Sequence, residues 1–213
     1  MKIQNTKDMS MNPILNILIY GDPKVGKSTF ATTTPKPLIA DAESGYRYMG
    51  SKGIEIPVAS IENWDDITEF YKEAMKPEYE TIVIDPVNEL LEKLMKKAKQ
   101  NRLYVQSTDP DALSMKGWGY VKGKMKEMLK GFRDINKNVI FVAHTKTEEK
   151  NGTNKIGPKL DANLSQDFMA MMDIIGYMSM FNANGKVDRY ISFEPNINYE
   201  AGARPKGLPA YFL

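Results

Sequence analysis

Residues 14–29 read ILNILIYGDPKVGKST, an apolar run that stops on Gly21 and passes into a loop of the form G-x-x-x-x-G-K-[ST]. The run is continuous and not alternating, which predicts a strand buried on both faces. Between such a strand and a helix start, this loop has the context in which backbone cradles phosphate. Across Gly21, Asp22, Pro23, Lys24, Val25, Gly26, Lys27 and Ser28 the glycines let the chain curl so that backbone N–H groups point inward. A helix beginning near Lys27 adds its positive dipole end. Thr29 completes the phosphate-binding stretch.

Working outward, residues 37–41 (PLIAD), 81–85 (TIVID) and 139–144 (VIFVAH) are further short apolar runs with polar ends. Between them apolar residues recur at spacings of three and four: Ile67, Phe70, Tyr71 and Ala74; Val87, Leu90, Leu91, Leu94 and Ala98; Val121, Met125, Met128, Leu129 and Phe132. Each set makes one apolar helix face. Strands alternating with helices predict an α/β fold, a mostly parallel central sheet flanked by helices with ligands at the carboxyl ends of the strands. Residues 173–181 and 189–194 are two more strand-like runs around the turn cluster Asn182-Ala183-Asn184-Gly185, an antiparallel C-terminal extension. Residues 1–13 are polar and irregular, and residues 14–213 are expected to form a single domain. Residues 101–118 and 145–163 lack a clear pattern and read as long loops.

The 213 residues include no cysteine and one histidine, which excludes thiolate chemistry and leaves metal binding to carboxylates. A net charge of +2 means that a nucleic-acid partner must be met by a local patch. No apolar run approaches the roughly 18–20 residues of a membrane helix, so a cytoplasmic protein with no membrane partner is expected.

The loop predicts ATP and Mg2+ as cofactors. Lys27 bridges the β- and γ-phosphates, Ser28 ligates the metal, and Asp85, ending an apolar strand, is the second metal residue. Hydrolysis also needs a carboxylate to align and deprotonate water. Asp85 is followed by Pro86 and not by a second acid, whereas Asp41-Ala42-Glu43 puts a glutamate at a neighbouring strand end. Glu43 and, on the helix after Asp85, Glu89 are the two candidates.

The Asp41-Ala42-Glu43 sequence resembles the RecA-like recombinases, and the resemblance implies that Glu43 is the catalytic base. It also implies that His144, closing its strand, senses the γ-phosphate, the alternative being a buried structural histidine. Residues 200–209 (EAGARPKGLP) are similar to the segment that supplies a cation to a neighbouring subunit's ATP, which points to Arg204 or Lys206, unless this is an ordinary basic tail. These motifs span most of residues 14–209. The short chain resembles the phage-encoded RecA-like ATPases of the Sak group, implicated in single-strand annealing and recombination. That likeness implies a ring or short filament of copies in the cytoplasm of an infected bacterium. The implied partners are single-stranded DNA and a phage or host single-strand-binding protein. DNA contacts would fall on the two long loops, at Arg102, Tyr104, Lys116 and Trp118 and at Lys146, Lys150, Lys155 and Lys159. Lysines also mark plain solvated surface, and Trp118 also suits a core anchor. A DNA motor, a nucleotide kinase and a non-catalytic ATP-gated adaptor are the competing readings.

Overall fold

The alternation of apolar runs and amphipathic segments becomes a layered α/β structure in a computed structural model that describes residues 14–150, 152–183 and 186–212. The expected irregular segment over residues 1–13 lies outside them. The elements run β1 (Asn16–Gly21), α1 (Lys27–Thr32), β2 (Pro37–Asp41), β3 (Val58–Ser60), α2 (Asp66–Ala74), β4 (Thr81–Asp85), α3 (Val87–Lys99) and α4 (Met115–Arg133). They continue with β5 (Asn138–Lys150), β6 (Thr153–Pro158), α5 (Ala162–Met171), β7 (Ile174–Ala183), β8 (Lys186–Ser192), β9 (Gly202–Ala203) and β10 (Tyr211–Phe212).

The sheet order is β10-β8-β7-β1-β5-β4-β2-β3. From β7 to β3 neighbouring strands are parallel. β8, β9 and β10 add antiparallel pairs, as the C-terminal runs predicted. The expected α/β architecture, a mostly parallel central sheet flanked by helices with a C-terminal antiparallel extension, is thus the one observed. β5 separates β1 from β4, so the ends of three adjacent strands converge with that of β2. Gly21 is in register with His144, and Asp41 with Asp85.

Alternating side chains fill both faces of the sheet. Leu18, Tyr20, Ile82, Ile84 and Phe141 pack with α2, α3, α4 and α5 on one face. Ile19, Ile39, Val83, Ile140 and Val142 pack with Ala31 of α1, Tyr46 and Met49 on the other. Each buried Leu, Ile, Val or Phe among them contributes about 1.5–3 kcal/mol relative to exposure. β2 and β4 are buried at every position, which explains why their sequences run apolar without alternation.

Two expectations need correction. Residues 145–163 are not a loop: β5 continues past His144 to Lys150 and returns antiparallel as β6, and α5 begins at Ala162. His144 therefore lies within a strand and does not close it. The arm shows no apolar alternation because it projects from the sheet, although Asn151-Gly152 is a strong hairpin signal. Residues 101–118 are a loop only to Ser114, whose hydroxyl accepts from the Gly117 N–H at 3.2 Å and caps α4. Lys116 and Trp118 are thus helical.

Candidate phosphate-binding site

β1 delivers Gly21 beside β7, where an added Cβ would stand 2.2 Å from the Met178 carbonyl oxygen. Only glycine lets the chain leave the sheet there. Lys24 (φ 67) and Gly26 (φ 112) turn the loop through the left-handed region onto α1. Lys27 is buried and reaches back to donate from Nζ to the carbonyls of Gly21 at 2.9 Å and Asp22 at 2.8 Å. Its ammonium lies across the loop. Burial pushes its pKa down, against the charges of Asp85, Glu43 and Asp22, which hold it up.

At the end of β4, Asp85 is 3% exposed. Its Oδ2 accepts from the Tyr46 hydroxyl at 2.7 Å, and the Ser28 side chain hydrogen-bonds to both residues. Burial pushes the Asp85 carboxyl up, and the hydrogen bonds from Ser28 and Tyr46 pull against it. A hydroxyl beside a single carboxylate suits Mg2+, a hard cation that takes oxygen ligands and keeps waters and phosphate oxygens in its shell. Among the described residues no cluster of three acidic or imidazole side chains offers a cage for a tightly held ion. Ser28 and Asp85 therefore fit a metal that arrives with the nucleotide.

Glu43 stands on the turn after β2, with Oε2 3.1 Å from His144 Nε2. Asp41 builds that turn. Its carboxylate accepts from the N–H groups of Glu43 at 3.2 Å, Gly45 at 3.0 Å and Tyr46 at 3.1 Å. The His144 N–H donates to Asn88 Oδ1 at 3.1 Å, and the neighbouring Thr145 hydroxyl donates to Asp22. Asp22, Thr145, His144 and Glu43 thus form a chain across the mouths of β1, β5 and β2. Glu89 accepts from Asn88 Nδ2 at 3.3 Å and is not among the carboxylates whose charge acts on Lys27.

Beside the loop is a cleft of about 450 Å3 lined by Lys24, Thr29, Phe30, Lys52, Arg189 and Tyr190, among others. Arg189 lies over Gly26, its Cδ 3.3 Å from where a Cβ would be. No pattern in the sequence marks Arg189, Tyr46 or Asn88. Arg189 reaches the loop only through the antiparallel register of β8 against β7, and Tyr46 only through the turn on Asp41.

Arg204 does not join this site in its own chain. Its guanidinium holds Asp173 Oδ1 at 3.1 Å and the Ala170 carbonyl at 2.7 Å. Asp173 also accepts from the Asn16 N–H, at the start of β1, roughly 16 Å along the strand from Gly21. Lys206 is exposed. Of the residues expected to meet DNA, Arg102, Lys116 and Lys159 are exposed. Tyr104 stacks on Tyr120 at 4.6 Å beside a cleft that Arg102 also lines. Trp118 is half-buried against the core, with Lys122 over its ring at 5.9 Å, so the anchor reading describes it. Lys146 pairs with Glu148 and Lys155 with Glu200, which leaves them less free for phosphate. The Lys150 side chain lies outside the described residues.

A family model described as AAA domain matches residues 15–205. The chain is 29% identical over 178 residues to the SPbeta prophage-derived protein YorG of Bacillus subtilis, covering 76% of this chain and 50% of YorG. It thus spans about half the length of that relative. A KaiC-like protein from Pyrococcus horikoshii aligns over 84% of this chain and 77% of its own, at 14% identity and a TM-score of 0.48. The flagellar accessory protein FlaH of Methanocaldococcus jannaschii aligns over 92% of this chain and 83% of its own, at 11% identity and a TM-score of 0.48. No helix among the described residues is long and apolar enough to cross a membrane.

Proposed function

The chain belongs to the AAA domain family, and on that premise we propose that it is a Mg2+-dependent ATPase that acts on single-stranded DNA in phage recombination or annealing. The observation that carries the ATPase reading is the convergence of Lys27, Ser28, Asp85 and Glu43 on one loop mouth. The loop backbone and Lys27 bind the β- and γ-phosphates, and Lys27 exchanges its two carbonyl partners for phosphate oxygens. Bound Mg2+ supplies Lewis-acid stabilisation of phosphate charge. Ser28 and Asp85 hold it. Glu43 aligns a water and takes its proton, and His144, 3.1 Å away, orients the carboxylate and senses the γ-phosphate.

The nucleoside occupies the cleft of Arg189 and Tyr190. Arg189→Ala is expected to weaken nucleotide binding by roughly tenfold or more, the scale of one charged hydrogen bond, with little change in melting temperature. Unchanged affinity in calorimetry would place the nucleoside elsewhere.

The DNA reading is supported by the exposed Arg102, Lys116 and Lys159 and by the prophage origin of YorG. With Arg204 tied to Asp173, Lys206 is the cation offered to a neighbouring copy in a ring or short filament. Turnover measured with and without single-stranded DNA tests the whole proposal. Stimulation by DNA is the expected result. Turnover indifferent to DNA favours another motor, and phosphate transfer only to an added acceptor favours a kinase. The absence of turnover favours a nucleotide-gated adaptor.

A further inference from the structure

The Tyr46 hydroxyl is a polar group in direct contact with Asp85 that the mechanism above leaves without a task. Its ring is 5% exposed and packs with Ile39, Met49 and Val83, so its place does not depend on the hydroxyl. That hydroxyl donates to Asp85 Oδ2 at 2.7 Å. The terminal torsion of an aspartate is soft, with a broad two-fold profile. At 3% exposure water does little to fix Asp85, so its orientation falls to the side chains that touch it, Ser28 and Tyr46.

We infer that Tyr46 is the positioning residue for the metal carboxylate: by holding Oδ2 it keeps Asp85 turned toward Ser28, ready for the Mg2+ that comes with nucleotide. The inference rests on the Mg2+-nucleotide reading above. The turn that carries Tyr46 also explains why it stands where it does. One carboxylate, Asp41, accepts from the N–H groups of both Glu43 and Tyr46, so the base and the residue that orients the metal ligand are fixed together. A change in the position of one is transmitted to the other through four residues of chain. Asp41 is itself 6% exposed, which keeps that anchor rigid.

The test is calorimetric binding of ADP across a Mg2+ titration, for the wild type, Tyr46→Phe, Asp85→Asn and Tyr46→Phe/Asp85→Asn. Tyr46→Phe keeps the packed ring and removes one oxygen. Its affinity for ADP without Mg2+ should match the wild type, while the Mg2+ concentration giving half the metal-dependent gain rises roughly tenfold, the lower end of what loss of an outer partner costs a metal site. A merely structural tyrosine would shift the melting temperature and both affinities together. In the Asp85→Asn background, where no carboxylate remains to be oriented, adding Tyr46→Phe should change nothing further. A Tyr46→Phe titration that overlays the wild type, or an equal Mg2+ effect in both backgrounds, overturns the inference. A wild type with no Mg2+-dependent gain overturns the Mg2+-nucleotide reading itself, and this inference with it.

Discussion

Lys27→Ala is expected to lower ATP turnover by roughly a hundredfold to a thousandfold, the loss that follows removal of one preorganised donor from developing charge. The size of the effect comes from the setting of the ammonium. It is buried, it lies across the loop between the carbonyls of Gly21 and Asp22, and three carboxylates hold it charged against its desolvation. The same burial makes a second measurement possible. Because the pKa of Lys27 is depressed in the fold, the unfolded chain binds more protons between that depressed value and the ordinary lysine pKa of about 10.4. Stability contributed by this group therefore rises with pH through that window and is lowest where the ammonium is fully charged. Denaturation of the wild type and Lys27→Met, compared from neutral to alkaline pH, should show this rise in the wild type alone. Turnover close to wild type in Lys27→Ala would remove the ATPase reading.

The positions of the loop over residues 21–28, Asp85 and Glu43 at one edge of the sheet were legible in the sequence for one physical reason. Each sits at the carboxyl end of a buried parallel strand, and such strands announce themselves as continuous apolar runs with polar ends. Thr81–Asp85 is buried at every position, so its final acid stands out against four residues of core. Arg189 and Tyr46 carry no such mark. Arg189 belongs to an antiparallel strand of which Arg189, Tyr190 and Ile191 all line the cleft, and only its pairing with Met180 of β7 brings it beside the loop. Tyr46 looks like any aromatic two residues past a serine until Asp41 winds the turn. The β5–β6 arm was misread because neither face meets the core for most of its length, and period-two alternation exists only where one face is buried. Arg204 and Lys206 were linked to a neighbouring copy's phosphates by resemblance alone, and within its own chain the Arg204 guanidinium pairs with Asp173.

Glu43→Gln is expected to stop hydrolysis while leaving nucleotide binding close to wild type, a loss of roughly a hundredfold to ten-thousandfold for removal of a general base. Glutamine keeps the length and one carbonyl oxygen, so the turn on Asp41, which is held through backbone N–H groups, does not depend on the change. In the proposed mechanism nucleotide affinity rests on Lys27, Ser28 and Asp85, and the partners of Lys27 and Asp85 are Gly21, Asp22 and Tyr46, not Glu43. Glu89→Gln is the contrast. Glu89 meets the side chain of Asn88, whereas the charge of Glu43 acts on both Lys27 and Asp85. Single-turnover hydrolysis and equilibrium binding, measured on both variants, separate the two carboxylates. The wild-type rate in Glu89→Gln with a stalled Glu43→Gln is the expected pattern. The reverse would mean that the water is approached from α3 and not from the β2 turn, and would leave His144, whose Nε2 faces Glu43, without a role in hydrolysis.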